Sequence, residues 1–194
     1  MRRSRLFAGL VCFAAVIAAA GTLLAERPPV GSHVASLEFQ DTRYLRRSLD
    51  DLGEPAAVVI VAVNSHCPLA RRYLPVLASM EQGYRERGVA FVGLDVDSSD
   101  TVTQMAALQV DSGAAFPFVK DVEGRCVAAL GLQRTPEVVL LDGERRIRYR
   151  GRIDDQFRIG GSLPAPKSQP LRKALEQVLA GEEGAAIRFD NRTP

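Results

Sequence analysis

Residues 56–63 are eight consecutive apolar residues with Val and Ile at the centre. That run is too short for a typical helix and too continuous for a strand with one face in water, so it reads as a central strand buried on both faces. A strand of this kind forces a layered fold, because each face has to be covered by other elements. It runs out at Asn64-Ser65-His66-Cys67-Pro68-Leu69-Ala70, which places one thiol between the end of the strand and the start of a helix.

On both sides of that strand the chain alternates strand and helix signals, the pattern of an α/β domain. Residues 34–39 read as an edge strand or hairpin arm, and Ser48 as the cap of a short helical turn to Leu52. Leu69, Tyr73, Leu77, Met80 and Tyr84 fall on one helical face of residues 68–87, with Pro75 expected to kink that helix and Gly88 to end it. Residues 89–94 repeat the buried-strand pattern, a second helix is expected over 101–110 with Asp100 as N-cap, and a strand starts within 116–120. A short helix over 125–130 stops at Gly131, strands 137–141 and 146–150 flank the turn pair Asp142-Gly143, and an amphipathic helix covers 170–180. Gly160, Gly161, Pro164 and Pro166 mark a loop inside the domain, and there are no internal repeats.

Residues 6–25 are twenty residues without a charge, preceded by Arg2, Arg3 and Arg5 and followed by Glu26-Arg27-Pro28-Pro29. Residues 1–26 therefore read as a signal peptide cleaved near the Ala18-Ala19-Ala20 run, or as an uncleaved amino-terminal membrane anchor, and either places the rest outside the cytoplasm. Setting aside those three Arg and Glu26 takes 25 basic and 23 acidic residues to 22 of each. The exported part, a domain over 31–181 and a polar tail over 182–194, is neutral, with no basic footprint for nucleic acid. Any contact with a membrane runs through the amino-terminal segment. Cys12 belongs to the apolar segment, so two cysteines are left to the domain.

Cys67 is the candidate for chemistry. At a helix start the unpaired N–H groups and the positive end of the macrodipole favour a thiolate, the form that acts as nucleophile. His66 would add positive charge when protonated, and Arg71 and Arg72 stand in the next turn; a solvated imidazole and a wet helix face are the plainer readings. Cys126 opens the short helix beside Val127, Ala128 and Leu130 and reads first as a core cysteine. Asp95, Asp97 and Asp100 look like the start of a calcium loop but lack its glycine and distal glutamate, which leaves a strand-to-helix loop. Arg152-Ile153-Asp154-Asp155 reads as a surface ion pair and loop anchor.

Over roughly residues 31–180 the sequence resembles the thioredoxin-like redoxins of the AhpC/TSA and thiol-disulfide oxidoreductase group. The strand-Cys-x-x-helix element carries the likeness, as do Pro75 eight residues after Cys67, the run Leu130-Gly131-Leu132-Gln133-Arg134-Thr135-Pro136 before a strand, and Arg148-Tyr149-Arg150-Gly151. The resemblance implies a thioredoxin-like fold, a central mixed sheet with helices on both faces, and a cis-proline loop in which Thr135 and Pro136 face the active thiol and bound substrate. It implies no metal or organic cofactor.

Two departures bear on mechanism. Ala70 stands where a Cys-x-x-Cys protein carries its resolving thiol, so a mixed disulfide would have to be resolved by an external thiol or by Cys126. The peroxidase branch expects a hydroxyl three residues before its cysteine and an Arg near the later strand; here Asn64 and a displaced Arg134 occupy those places. The expectation is an exported redoxin acting through Cys67, supported by Asn64, Ser65, His66, Arg134, Thr135 and Pro136. Its partners would be a protein or small-molecule thiol or disulfide, with an external reductant. Reduction of hydroperoxides by Cys67 is the alternative, and a non-catalytic module that holds a partner or a soft metal such as Cu(I) is the second.

Overall fold

The computed structural model describes residues 27–182. The expected signal or anchor over 1–26 lies outside them, as does the tail beyond Glu182. Among the described residues no helix is long and apolar enough to cross a membrane.

In chain order the elements are β1 (Glu38–Asp41), β2 (Arg46–Ser48), β3 (Ala57–Val63), α1 (Pro68–Tyr84), β4 (Val89–Asp95), α2 (Val102–Ser112), β5 (Phe118–Lys120), α3 (Arg125–Leu130), β6 (Glu137–Asp142), β7 (Ile147–Gly151), the hairpin β8 (Phe157–Arg158) and β9 (Gly161–Ser162), and α4 (Pro170–Leu179). The first seven strands form one sheet in the order β2-β1-β5-β4-β3-β6-β7. It is mixed: β4 lies parallel to β3 and to β5, while β6 is antiparallel to both of its neighbours, β3 and β7. The apolar run is central, as its composition requires, and all seven residues of β3 are buried.

Pleating sends alternate side chains of β3 to opposite faces. Val59, Val61 and Val63 share a core with Tyr73, Leu74 and Leu77 of α1 and with Leu171 and Leu175 of α4. Val58, Ile60 and Ala62 share the other with Cys126 and Leu130 of α3. Each fully buried Leu or Ile in these layers contributes on the order of 1.5–3 kcal/mol, so the two cores fix the sheet's position and with it the end of β3. The helix after β3 runs on through Pro75, which sits on the exposed side, then tightens to a 3-10 turn over Arg85–Arg87 that Gly88 closes at a φ of 76°.

Two local expectations are corrected. Strand structure over 34–39 is confined to its last two residues, within β1; the chain before it is a strap bonded to the far edge of the sheet. There Gly31 N–H donates to the Ile147 carbonyl (2.7 Å) and Val34 N–H to that of Arg145 (2.9 Å). The cap of α2 is Thr101, not Asp100: Gln104 N–H donates to Thr101 Oγ1 (3.2 Å) and Thr101 N–H to Gln104 Oε1 (2.7 Å). This reciprocal pair satisfies two donors at the helix start and frees the Asp100 side chain for another use.

Candidate active site

Cys67 stands where β3 has ended and α1 begins. The turn between them is closed by Asn64, whose Oδ1 accepts the Cys67 N–H at 2.6 Å. Cys67 itself is the N-cap of α1, extended at φ −77° and ψ 109°, and Pro68 follows at a position where its missing N–H costs nothing. The cap is made by sulfur: the Ala70 N–H donates to Cys67 Sγ at 3.4 Å. Facing the thiol is the loop before β6, where the Thr135–Pro136 peptide bond is cis. The Cys67 S–H donates to the Thr135 carbonyl at 3.4 Å. The half-buried sulfur thus lies between a helix-start donor and a backbone acceptor on the proline loop.

The 64–67 loop has a second support that the sequence did not reveal. Asp100, its side chain wholly buried, accepts the Ser65 N–H and the Ser65 hydroxyl, each at 2.5 Å. His66 Nε2 lies 3.3 Å from Asp100 Oδ1, while its ring is 65% exposed. His66 is therefore paired with Asp100 rather than with Cys67. Behind this carboxylate, Lys120 Nζ donates to the carbonyls of Asp97 (2.7 Å) and Asp100 (2.6 Å). A side-chain ammonium holds the acidic loop together through its carbonyl oxygens. Asp95 at the end of β4 is also buried, and desolvation pushes its carboxyl up to about 6 against the bond from Asp97 N–H and the pull of Lys120.

The proline loop has its own buried acid. Glu137, 1% exposed, accepts the Gln133 N–H on Oε2 at 2.8 Å and pairs through Oε1 with Arg27, which also donates to the Gly131 carbonyl at 2.6 Å. Below Thr135 opens a recess of about 270 Å³ with a floor of Ala62, Val96, Val127 and Leu132 and a rim of Gln133, Arg134 and Thr135. Arg134 is exposed on that rim. Arg71 instead pairs with Asp111 at 3.3 Å, and the Arg72 guanidinium lies 4.8 Å from the centre of the Phe157 ring, so both are engaged away from the thiol.

Cys126 is fully buried in the α3 core, donates its S–H to the Glu38 carbonyl at 3.2 Å, and is pushed up to about 12, chiefly by burial. Cys67 and Cys126 are both free thiols. The Arg152-Ile153-Asp154-Asp155 segment is a loop anchor, although hydrogen bonds do the anchoring: Tyr73 of α1 donates its hydroxyl to Asp154 Oδ1 (2.6 Å), and Asp155 Oδ1 accepts two backbone N–H groups, from Lys167 and Ser168. Among the described residues there is no group of three or more His, Cys, Asp and Glu that could hold a metal.

The model of the AhpC/TSA family matches residues 30–150, more than half of the chain. The chain belongs to the AhpC/TSA family. A search of the curated proteins finds no match to it. Among solved structures, this AhpC/TSA protein is similar to a hypothetical protein from Sinorhizobium meliloti, 25% identical with a TM-score of 0.71 over 79% of this chain and 86% of that one. It is similar to the peroxidoxin BcpB from Mycobacterium tuberculosis (18% identity, TM-score 0.60, 80% and 99% covered). It also resembles a secreted disulfide oxidoreductase from the same organism, homologous to Escherichia coli DsbE (14% identity, TM-score 0.53, 75% and 95% covered). These likenesses establish the thioredoxin-like fold, and the family match adds membership of AhpC/TSA.

Proposed function

We propose that this protein is an exported thiol-disulfide oxidoreductase that works through the single thiol of Cys67. The observation that carries the reading is the seat of the sulfur, between the Ala70 N–H and the Thr135 carbonyl, with Ala70 where a second thiol would stand. The Cys67 thiolate attacks one sulfur of a disulfide, the S–S bond breaks, and the electron pair leaves on the other sulfur. Cys67 is oxidised to a mixed disulfide and one thiol is released. Thr135 and Pro136 offer backbone to the bound substrate, and the recess beneath Thr135 gives room for a group next to its cysteine. With Cys126 buried on the α3 side of the sheet, an external thiol attacks the mixed disulfide and restores Cys67. The basic and apolar pattern of residues 1–26 supports export.

Incubating the full chain with oxidised glutathione and mapping adducts by mass spectrometry tests this. One glutathione on Cys67, released by added thiol and lost in Cys67→Ser, is expected; an unmodified Cys67 would refute disulfide exchange and leave a binding module. A parallel sample with equimolar hydrogen peroxide addresses the peroxidase reading. Sulfenic acid on Cys67 forming faster than the glutathione adduct would replace the proposed function with that one.

A further inference from the structure

We propose that His66 is the acid that protonates the departing thiolate when Cys67 exchanges with a disulfide, and that Asp100 positions it. The inference rests on the oxidoreductase reading above and assigns a second residue to it. His66 immediately precedes Cys67 on the loop that enters α1, and its ring is 65% exposed to the solvent from which a disulfide must approach. The ring is not free to wander: Nε2 lies 3.3 Å from Oδ1 of a carboxylate that is itself wholly buried. Holding Nε2 there keeps its proton on the Asp100 side and leaves Nδ1 as the nitrogen available to substrate.

Asp100 is in turn fixed by two further bonds, from the Ser65 N–H and hydroxyl, so the imidazole leans on an acceptor that cannot turn away. The charges around the ring belong to one group. Asp97, held below the usual carboxylate range by Ser99 and in smaller part by His66, and Asp95 lie on the loop after β4 and at its end. Lys120 of β5 turns its ammonium to the carbonyls of Asp97 and Asp100. Arg71, the nearest arginine in sequence, is paired with Asp111. The ring therefore has acidic neighbours.

In the step itself, Cys67 S⁻ bonds to one sulfur of R–S–S–R′ as the S–SR′ bond breaks. The R′S⁻ produced takes the Nδ1 proton of imidazolium His66 and leaves as R′SH; the ring regains its proton from solvent. Such help matters for alkyl thiols, which are basic, and little for aromatic thiolates, which leave readily unprotonated.

That difference provides the test. Rates of mixed-disulfide formation are measured for the full chain, His66→Gln and Asp100→Asn with hydroxyethyl disulfide and with 4,4′-dithiodipyridine, together with alkylation of Cys67 by iodoacetamide, a step with no departing thiol. For His66→Gln the loss with the alkyl disulfide should exceed the loss with the aromatic one by about tenfold or more, within the range of general acid catalysis. Asp100→Asn should show the same selectivity. Equal losses with both disulfides and with iodoacetamide would mean that these residues only shape the loop, and would overturn the inference. Failure of the native protein to form a mixed disulfide with either reagent would overturn the oxidoreductase function as well.

Discussion

Replacing Asp95 with Asn should make the protein more stable at neutral and alkaline pH and leave it nearly unchanged in acid. Asp95 is 1% exposed at the end of β4, and burial raises its carboxyl from 3.8 to about 6 despite the Asp97 N–H bond and the pull of Lys120. A raised carboxylate pKa means that the folded state holds the proton more tightly than the unfolded one. Stability from this group is therefore fully present below about pH 4 and is lost as pH rises through about 6. At about 1.4 kcal/mol for each unit between the two values, ionised Asp95 costs the fold about 3 kcal/mol at pH 8. An amide keeps an oxygen for the Asp97 N–H and carries no charge to desolvate. For a domain of this size, about 3 kcal/mol corresponds to a rise in Tm of roughly 6–12 °C. Urea and thermal unfolding of both proteins at pH 4 and pH 8 should show the gain at pH 8 alone. A variant less stable than wild type at pH 8, or shifted equally at both pH values, would refute the assignment of that cost to a buried charge.

In the native protein at pH 8, iodoacetamide should label Cys67 and spare Cys126, whose thiol is fully buried and pushed up to about 12; peptide mapping should find Cys126 modified only once denaturant is added. Gly151→Ala should destabilise by about 1–3 kcal/mol in a urea titration, because the added methyl would lie 2.6 Å from the hydroxyl of Tyr149, a fully buried ring whose hydroxyl donates to the Arg152 carbonyl. Thr101→Ala, which removes the side-chain half of the α2 cap, should cost about 1 kcal/mol in the same measurement and leave the labelling rate of Cys67 unchanged.

What could be read from the sequence was whatever depends on neighbours along the chain. The unbroken apolar run gave the central strand, the spacing of Leu69, Tyr73 and Leu77 gave α1, and the turn pair Asp142-Gly143 gave the antiparallel β6–β7 pairing. The seat of Cys67 at a helix start was legible for the same reason, whereas Thr135 and Pro136 facing it, 68 residues further on, were implied only by the family resemblance. Asp100 was misplaced because Asp and Thr both cap helices well and stand side by side; the spacing of Thr101 and Gln104, a capping box, was the signal that separates them. Its real partners, Ser65 and His66, are some 35 residues away and meet it only because β3 and β4 are adjacent in the sheet. Residues 34–37 mislead in another way: Val34 and Leu37 are buried like strand residues, but a strap lying across the core buries them as well as a sheet would. Glu137 offered no local signal at all, since an acid after a proline reads as surface until its distant arginine is in place.

That arginine also sets a lower limit on the folded unit. Family likeness begins at residue 30, and a fragment designed from it would start there. Glu137 would then keep its burial but lose its only ion-pair partner among the described residues, and Gly131 would lose the donor to its carbonyl. An uncompensated buried charge of this kind costs about 3–5 kcal/mol, a large share of what holds an ordinary domain together. A processed or recombinant form must therefore retain Arg27. Signal cleavage after Ala20 would satisfy that limit with six residues to spare, whereas a protease cutting between Arg27 and Pro28 would loosen the loop that carries Pro136.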